Sequence, residues 1–186
     1  MHPRIAELLD YDQRQRVALL DALSLIPEPL RDRRCDAATW SPAEVLEHLH
    51  QVESGIARLI ARSVERAKVD GLEPEQDVSS VLASLDSLRV MDRSRRISAP
   101  DPVMPRGEMT AAQAEAALTD SRQALVSALR EADGLALGRI TRTHPTLGTL
   151  NLYQWVLFVG QHEARHACQL QDLARQLVSE SAPPPG

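Results

Sequence analysis

Apolar residues recur every three or four positions along most of the chain, which is the spacing of one buried face of an α-helix. The first such stripe predicts a helix over about residues 3–26, ended by Pro27 and Pro29, because proline lacks the N–H that a helix interior needs. Asp12 and Arg16 interrupt this stripe. A surface ion pair is the simpler interpretation of the two charges, and a polar patch facing an internal site is the other.

Capping signals mark the starts of two further helices. Ser41, Pro42 and Glu44 form the pattern of a capping box and predict a helix over about 42–68, with Trp40 placed to pack on its first turns. Thr110 begins a second capping-box pattern, which predicts a third helix ending near 133. The fourth helix is expected over about 149–178, after an irregular segment from 135 to 148.

The segment between the second and third helices is long and rich in proline and glycine. A short helix over 78–93, capped by Asp77, is plausible within it, and the rest of 69–107 is expected to be a crossover connection that lines a site or is mobile. The predicted fold is therefore an all-α four-helix bundle in which this connection makes the second and third helices parallel. Residues 1–179 are expected to form one domain and 180–186 a disordered tail.

Composition narrows the class of protein. Hydrophobic residues make up 43% of the 186 residues and charged residues 25%, which is typical of a globular chain. The net charge of −5 disfavours binding to nucleic acid, whose phosphates require a basic face. The chain shows neither a membrane-spanning run nor a signal peptide, so we expect a soluble, cytoplasmic protein whose Cys35 and Cys168 are reduced.

A group of arginines lies on the predicted short helix and in the segment after it. A solvated surface is the simpler interpretation of these charges, and a binding site for an anionic thiol cofactor is the other. The arginines are Arg89, Arg93, Arg95, Arg96 and Arg106.

The chemistry-bearing residues lie in the fourth helix. On a helical wheel of about 100° per residue, His162, His166 and Gln169 fall on the same face as the apolar stripe. Two histidines four residues apart can both reach one metal ion. The alternative is two histidines at the edge of the core, each hydrogen-bonded to a neighbouring helix.

A third ligand is needed for a catalytic metal with an open position. The sequence from His162 to His166 matches the HExxH signature of metalloproteases. The residues after His166 include no further histidine and no glycine before the last residue, and Glu180 lies in the expected tail, which argues against that class. In the second helix, the wheel turns His48 towards the interior and His50 towards solvent. Glu44 could orient His48, although its place in the capping box is expected to occupy it.

Two carboxylates near these histidines stay open in role. Glu53 falls at the edge of the apolar stripe, where it is either a buried partner or a helix-edge carboxylate. Glu163 lies about 100° around the helix from His162, which does not favour a direction into the site.

Two longer segments resemble motifs of the DinB/YfiT-like superfamily. WSPAEVLEHLHQVE, at 40–53, resembles the family's second-helix motif, and HPTLGTLNLYQWVLFVGQHEARHACQL, at 144–170, resembles its fourth-helix motif. The segment LLDYDQ, at 8–13, is similar to the family's opening, with Asp12 where asparagine is common. The resemblance covers nearly the whole chain.

The resemblance implies a four-helix bundle in up-down-down-up order that holds a divalent metal ion, zinc or nickel. Carried over by position, the ligands are His48, His162 and His166, whereas His50 stands where a small or acidic residue is usual. Characterised members transfer or isomerise with a low-molecular-weight thiol, such as bacillithiol, mycothiol or glutathione, that the metal activates. Relatives are commonly dimers.

The expected function is therefore a metal-dependent enzyme that transfers a low-molecular-weight thiol to an electrophilic small molecule. The alternatives are a metal-dependent hydrolase and a non-catalytic metal-binding protein associated with stress. We expect a homodimer with a small-molecule substrate and neither nucleic acid nor membrane as partner. Asp12, Glu163 or residues of 69–107 could position the substrate, and the sequence does not select among them.

Overall fold

The fold is mostly helical, as the hydrophobic pattern predicts. The computed structural model describes residues 1–92, 94 and 99–181. Among these residues no helix is long and apolar enough to cross a membrane. The elements are α1 (Pro3–Ser24), α2 (Pro42–Val69), α3 (Leu85–Leu88), α4 (Ala111–Glu131), β1 (Thr141–His144), β2 (Gly148–Asn151) and α5 (Leu152–Ser181).

The predicted capping boxes set the starts of α2 and α4. The Ser41 hydroxyl accepts a hydrogen bond from the backbone N–H of Glu44, and the Glu44 carboxylate accepts one from the backbone N–H of Ser41, at 3.2 and 2.8 Å. Thr110 and Gln113 make the same reciprocal pair at the start of α4. Each pair satisfies backbone donors that a helix N-terminus leaves free, so both predicted starts are confirmed.

The irregular segment expected before α5 is in part a β-hairpin. β1 and β2 pair antiparallel, with His144 opposite Gly148. Gly148 adopts a left-handed backbone conformation, φ 79°, which a short hairpin connection requires and which glycine adopts without strain. α5 then begins later than predicted, because Asn151 and Gln154 cap it through two hydrogen bonds of 3.0 Å.

The connection between α2 and α4 contains less helix than predicted. The expected helix over 78–93 is limited to a 3₁₀ turn, Leu82–Ser84, and the single turn α3. Asp77 does not cap a helix there, since its carboxylate accepts from the backbone N–H of Ser79 and pairs with Arg4. Arg93, at the predicted end, lies outside the described residues.

The expected tail begins within α5. Glu180 and Ser181 belong to that helix, and Glu180 pairs with Arg33 at 2.5 Å. Residues 182–186 lie outside the part of the chain that the structure describes, so the prediction for them stays a prediction.

The long helices pack most extensively in two pairs, α1 with α5 and α2 with α4. Along the second pair, Glu53 of α2 accepts from Ser121 of α4, and Lys68 of α2 pairs with Glu131 of α4. Residue numbers rise together along both helices, so α2 and α4 run in the same direction, which a long crossover permits.

A glycine brings α1 and α5 close together. A Cβ at Gly160 would collide with the ring of Tyr11 and would lie 2.7 Å from Oδ1 of Asp12. Only glycine therefore allows this approach of the two backbones.

Arg16 lies buried at the centre of the long helices and contacts three of them. It donates to Glu53 of α2 at 2.8 Å, to Glu163 of α5 at 2.7 Å and to the carbonyl of Leu118 in α4 at 3.1 Å. Arg122 of α4 also donates to Glu53, at 2.6 Å, and its Nη2 lies 2.9 Å from Glu163. Two arginines and two glutamates thus form a buried ion network that joins all four long helices.

The interpretation of Asp12 and Arg16 as a surface pair is wrong, because both side chains are buried. Arg16 is engaged by the two glutamates, and the Asp12 carboxylate has no hydrogen-bond partner among the described residues. Burial raises the pKa of Asp12 well above its ordinary value, and the neighbouring carboxylates of Glu163 and Glu53 add to that shift. The two arginines and two glutamates of the network carry formal charges that balance.

Replacement of Arg16 tests how much this network contributes to the free energy of unfolding. Arg16→Met should lower the free energy of unfolding by about 3–5 kcal/mol, because it leaves buried carboxylates with one arginine between them. Arg14→Met is the matched control on the same helix, since Arg14 makes only an exposed pair with Asp10 among the described contacts, and it should change stability by less than about 1 kcal/mol. Urea denaturation measures both values, and equal stability of the two variants would contradict the role given to the network.

Candidate metal centre

The structure brings His48 of α2 together with His162 and His166 of α5. Nε2 of His162 lies 3.2 Å from Nε2 of His48 and 3.1 Å from Nε2 of His166. One ring nitrogen from each residue can be chosen so that all three lie within 4.8 Å of one another. The histidines at positions i and i+4 face the third from an adjacent helix, as the sequence predicts.

Two of the three rings are oriented by hydrogen bonds on their other nitrogen. Nδ1 of His48 lies 2.7 Å from the carbonyl oxygen of Val103, and Nδ1 of His166 lies 2.8 Å from Oε1 of Gln169. A carbonyl oxygen can only accept, so the proton sits on Nδ1 in both rings. Nε2 of each ring therefore carries a free lone pair directed into the cluster, which is the usual arrangement of a metal-ligating histidine.

Burial keeps the three imidazoles neutral. Loss of hydration lowers the pKa of His48, and it lowers that of His166 to about 3, with the nearby His48 adding to the effect. The pKa of His162 is lowered well below its ordinary value by burial and by repulsion from His166 and His48. Neutral imidazole is the form that binds metal, since imidazolium has no free lone pair.

This donor set fits a divalent metal ion. Three imidazole nitrogens suit zinc or nickel among the common metals, and three protein ligands leave a coordination position open. Without a cation, the Nε2 lone pairs of His48 and His166 would both face Nε2 of His162 at about hydrogen-bonding distance, and only the His162 ring could place a proton there. The cluster could therefore hold a metal ion, and the structure alone does not identify which one.

Aromatic rings enclose the cluster. The ring of Phe158 stacks on that of His162, with centroids 5.2 Å apart and planes at 16°. Trp40, immediately before α2, lies 5.0 Å from the ring of His48 and is stacked at 6.5 Å with that of His166. Trp40 thus covers the histidines from the outside, a role beyond the helix-start packing that the sequence predicts.

The other candidates on α2 lie outside the cluster. His50 does not face solvent as predicted, because it is half-buried against α4, where its Nδ1–H donates to the carbonyl of Ala117 at 2.8 Å. Glu44 is engaged by its capping box and by Arg34, as expected, and the acceptor for His48 is Val103 instead.

Glu53 and Glu163 are the buried partners of arginines. Glu53 is therefore no helix-edge carboxylate, and Glu163 points into the ion network described above. Neither lines the cavity beside the histidines. The network lies directly behind the cluster, since Glu163 follows His162 in the chain.

That cavity has a volume of about 780 Å³ and opens beside the three histidines. Its walls include residues of α2, α5, the hairpin and the connection between α2 and α4, so this connection lines the cavity at Val103 and its neighbours. Sequence reasoning missed Val103 as the partner of His48, because a backbone carbonyl leaves no mark on residue type.

Neither the described members of the arginine group nor the two cysteines belong to the histidine cluster. Arg93, Arg95 and Arg96 lie outside the described residues, and neither Arg89 nor Arg106 lines the cavity. Cys35 and Cys168 are free thiols of intermediate exposure.

Comparison with known proteins gives a family match over most of the chain. A sequence model of the DinB superfamily matches residues 11–170. The uncharacterized protein YuaE of Bacillus subtilis is 24% identical over 148 residues, which cover 78% of this chain and 84% of the relative. No solved structure matches.

The tautomers of the metal-free protein test this geometry. Nitrogen-15 NMR of the imidazoles should show a proton on Nδ1 and none on Nε2 for His48 and His166. Because burial lowers their pKa, the rings should stay neutral as the pH falls from about 8 to about 6, whereas an ordinary histidine gains charge near 6.5. A proton on Nε2 of both rings would contradict the proposed orientation of the lone pairs.

Proposed function

The chain belongs to the DinB superfamily, and from that membership and its three clustered histidines we propose a metal-dependent enzyme that joins a low-molecular-weight thiol to an electrophilic small molecule. The observation that carries the proposal is the convergence of three imidazoles in the wall of a largely apolar cavity. His48, His162 and His166 would hold the ion, zinc or nickel.

The proposed reaction needs no change of oxidation state. A divalent ion held by the histidines would supply Lewis acidity, which lowers the pKa of a thiol towards neutrality. The thiol gives up its proton, and its sulfur electron pair forms the new carbon–sulfur bond. A leaving group departs with the electrons of its broken bond, or, in an addition, the adjacent carbon takes up a proton.

The residues around the cluster have separate tasks in this proposal. Val103 accepts a hydrogen bond from Nδ1 of His48, and Gln169 accepts one from Nδ1 of His166. These bonds hold the two rings in the ligating orientation. Trp40 and Phe158 cover the histidines and exclude water, which strengthens electrostatic interactions at the site.

Thiol transfer is favoured over hydrolysis because the described lining of the cavity offers no carboxylate base. A metal-dependent hydrolase commonly uses a carboxylate to take a proton from water. Glu163, the acid between the two histidines of α5, is instead held by Arg16 and Arg122. No aspartate or glutamate lines the cavity within the described part of the chain.

We further propose that residues 1–179 form one domain, a four-helix bundle of α1, α2, α4 and α5 in up-down-down-up order. The parallel contacts of α2 with α4 support this order. So does the pair of contacts by which Arg4 lies over the ring of Tyr153 and Arg16 bonds Glu163, since residue numbers rise together along α1 and α5.

Metal content is the first test of the proposed function. Protein purified without a nickel column or a chelator should carry about one divalent ion per chain, and His162→Ala should lose it together with activity. His50→Ala is the matched control, because His50 is a half-buried histidine on α2 outside the cluster, and it should keep both. Elemental analysis gives the metal, and conversion of chlorodinitrobenzene with glutathione, bacillithiol or mycothiol gives the activity.

The results separate the alternatives. Absence of bound metal, with no uptake of zinc, nickel, iron or manganese, would contradict the metal centre. Bound metal with no acceleration of thiol transfer by any of the three thiols would contradict thiol transfer and favour a metal-dependent hydrolase or a non-catalytic metal-binding protein.

A further inference from the structure

The cavity beside the histidines is apolar well beyond what a metal site needs. Its described lining contains one permanently charged side chain, Arg165, and that guanidinium already donates to the carbonyls of Val90 and Asp92 at 2.9 and 2.8 Å. Within the described lining, a charged ligand body would lose its hydration and would find no permanently charged side chain other than Arg165. The described walls therefore favour an uncharged ligand.

Part of the lining is a group of aromatic rings in mutual contact. Trp155 and Phe158 of α5 pack edge to face, with centroids 6.5 Å apart, and His144 of the hairpin lies 4.9 and 4.7 Å from them. Val52 and Leu59 of α2 add aliphatic surface to the lining. A cavity lined by both rings and aliphatic side chains suits a flat aromatic body, because such contacts bury large area with a defined geometry.

A glycine in the middle of α2 opens this space. Gly55 lines the cavity, and a Cβ built on it would meet no atom within 4 Å. Glycine inside a helix costs about 1 kcal/mol relative to alanine, and no packing contact of the described residues requires it here. The absent side chain leaves room for a molecule to lie against the helix backbone.

The position of Gly55 gives the length of that molecule. It follows His48 by seven residues, which is about two helical turns on the same face, or about 10 Å along the axis. A ligand that contacts both places therefore extends by roughly that distance from the histidines along α2.

We propose that this cavity, called the chamber from here on, binds the aromatic body of an uncharged small molecule. The molecule lies against Gly55, with its reactive end at the three histidines. The assignment of that end as the electrophile rests on the proposed function. Binding of the body does not, since the walls that hold it are formed by the protein alone.

Both tryptophans of the chain, Trp40 and Trp155, line the chamber, so their fluorescence reports its contents. Nitronaphthalene, an uncharged aromatic quencher, should quench the metal-free protein saturably, and naphthalenesulfonate, its anionic counterpart, should bind at least tenfold more weakly. Gly55→Phe should weaken nitronaphthalene binding at least tenfold by filling the chamber, while Gly55→Ala retains it.

Arg58→Phe is the matched control, because it adds the same ring to the exposed face of α2. It should bind nitronaphthalene like the unaltered protein. If circular dichroism shows that Gly55→Phe is unfolded, Gly55→Leu fills the same space with a better helix former and is expected to give the same loss.

Two readouts keep this inference apart from the proposed function. Gly55→Phe should retain the full metal content while losing the probe. Unsaturable quenching, equal binding of the two naphthalenes, or undiminished binding by folded Gly55→Phe would overturn the chamber assignment even if the metal is present. Loss of metal from the unaltered protein would overturn the metal centre while leaving the chamber assignment standing.

Discussion

Arg16 sets the relation among the long helices on which the rest of the structure depends. Its guanidinium bonds Glu53 on α2 and Glu163 on α5, and it also donates to a backbone carbonyl of α4. Such a network is not an efficient source of stability, since apolar replacement of a complete buried ion network is often neutral or stabilising. The network instead fixes the axial alignment of the helices, because the buried carboxylates and guanidinium groups find their partners in only one alignment.

The same alignment of the helices brings the three histidines together. Glu163 directly follows His162, and Glu53 lies five residues after His48, so the contacts that fix the glutamates also fix the height of the imidazoles. The site then has two unlike surroundings: compensated charges behind it and an apolar chamber in front. Burial between them lowers the pKa of each histidine, which keeps the nitrogen lone pairs free for a metal.

The sequence predicts the parts of this arrangement that local rules control. Capping boxes place the starts of α2 and α4, and the wheel puts His48, His162 and His166 on inward faces. Contacts between residues far apart in the chain are harder to predict from the sequence. Asp12 and Arg16, four residues apart, look like a surface pair, and only the placement of Glu53 and Glu163 shows that they are buried. The pattern predicts an irregular segment where the hairpin forms, although Gly148 at the start of β2 is typical of a tight connection. The residue type at position 103 gives no sign that its backbone carbonyl accepts from His48.

The central claim is that the three histidines hold one metal ion, and anomalous diffraction tests it most directly. Crystals of protein supplied with one equivalent of zinc should show a zinc-edge peak about 2.0–2.1 Å from Nε2 of His48, His162 and His166. The Nδ1 contacts to Val103 and Gln169 should remain. No peak at the cluster, or a peak bound by other residues while the histidines bond one another, would contradict the account.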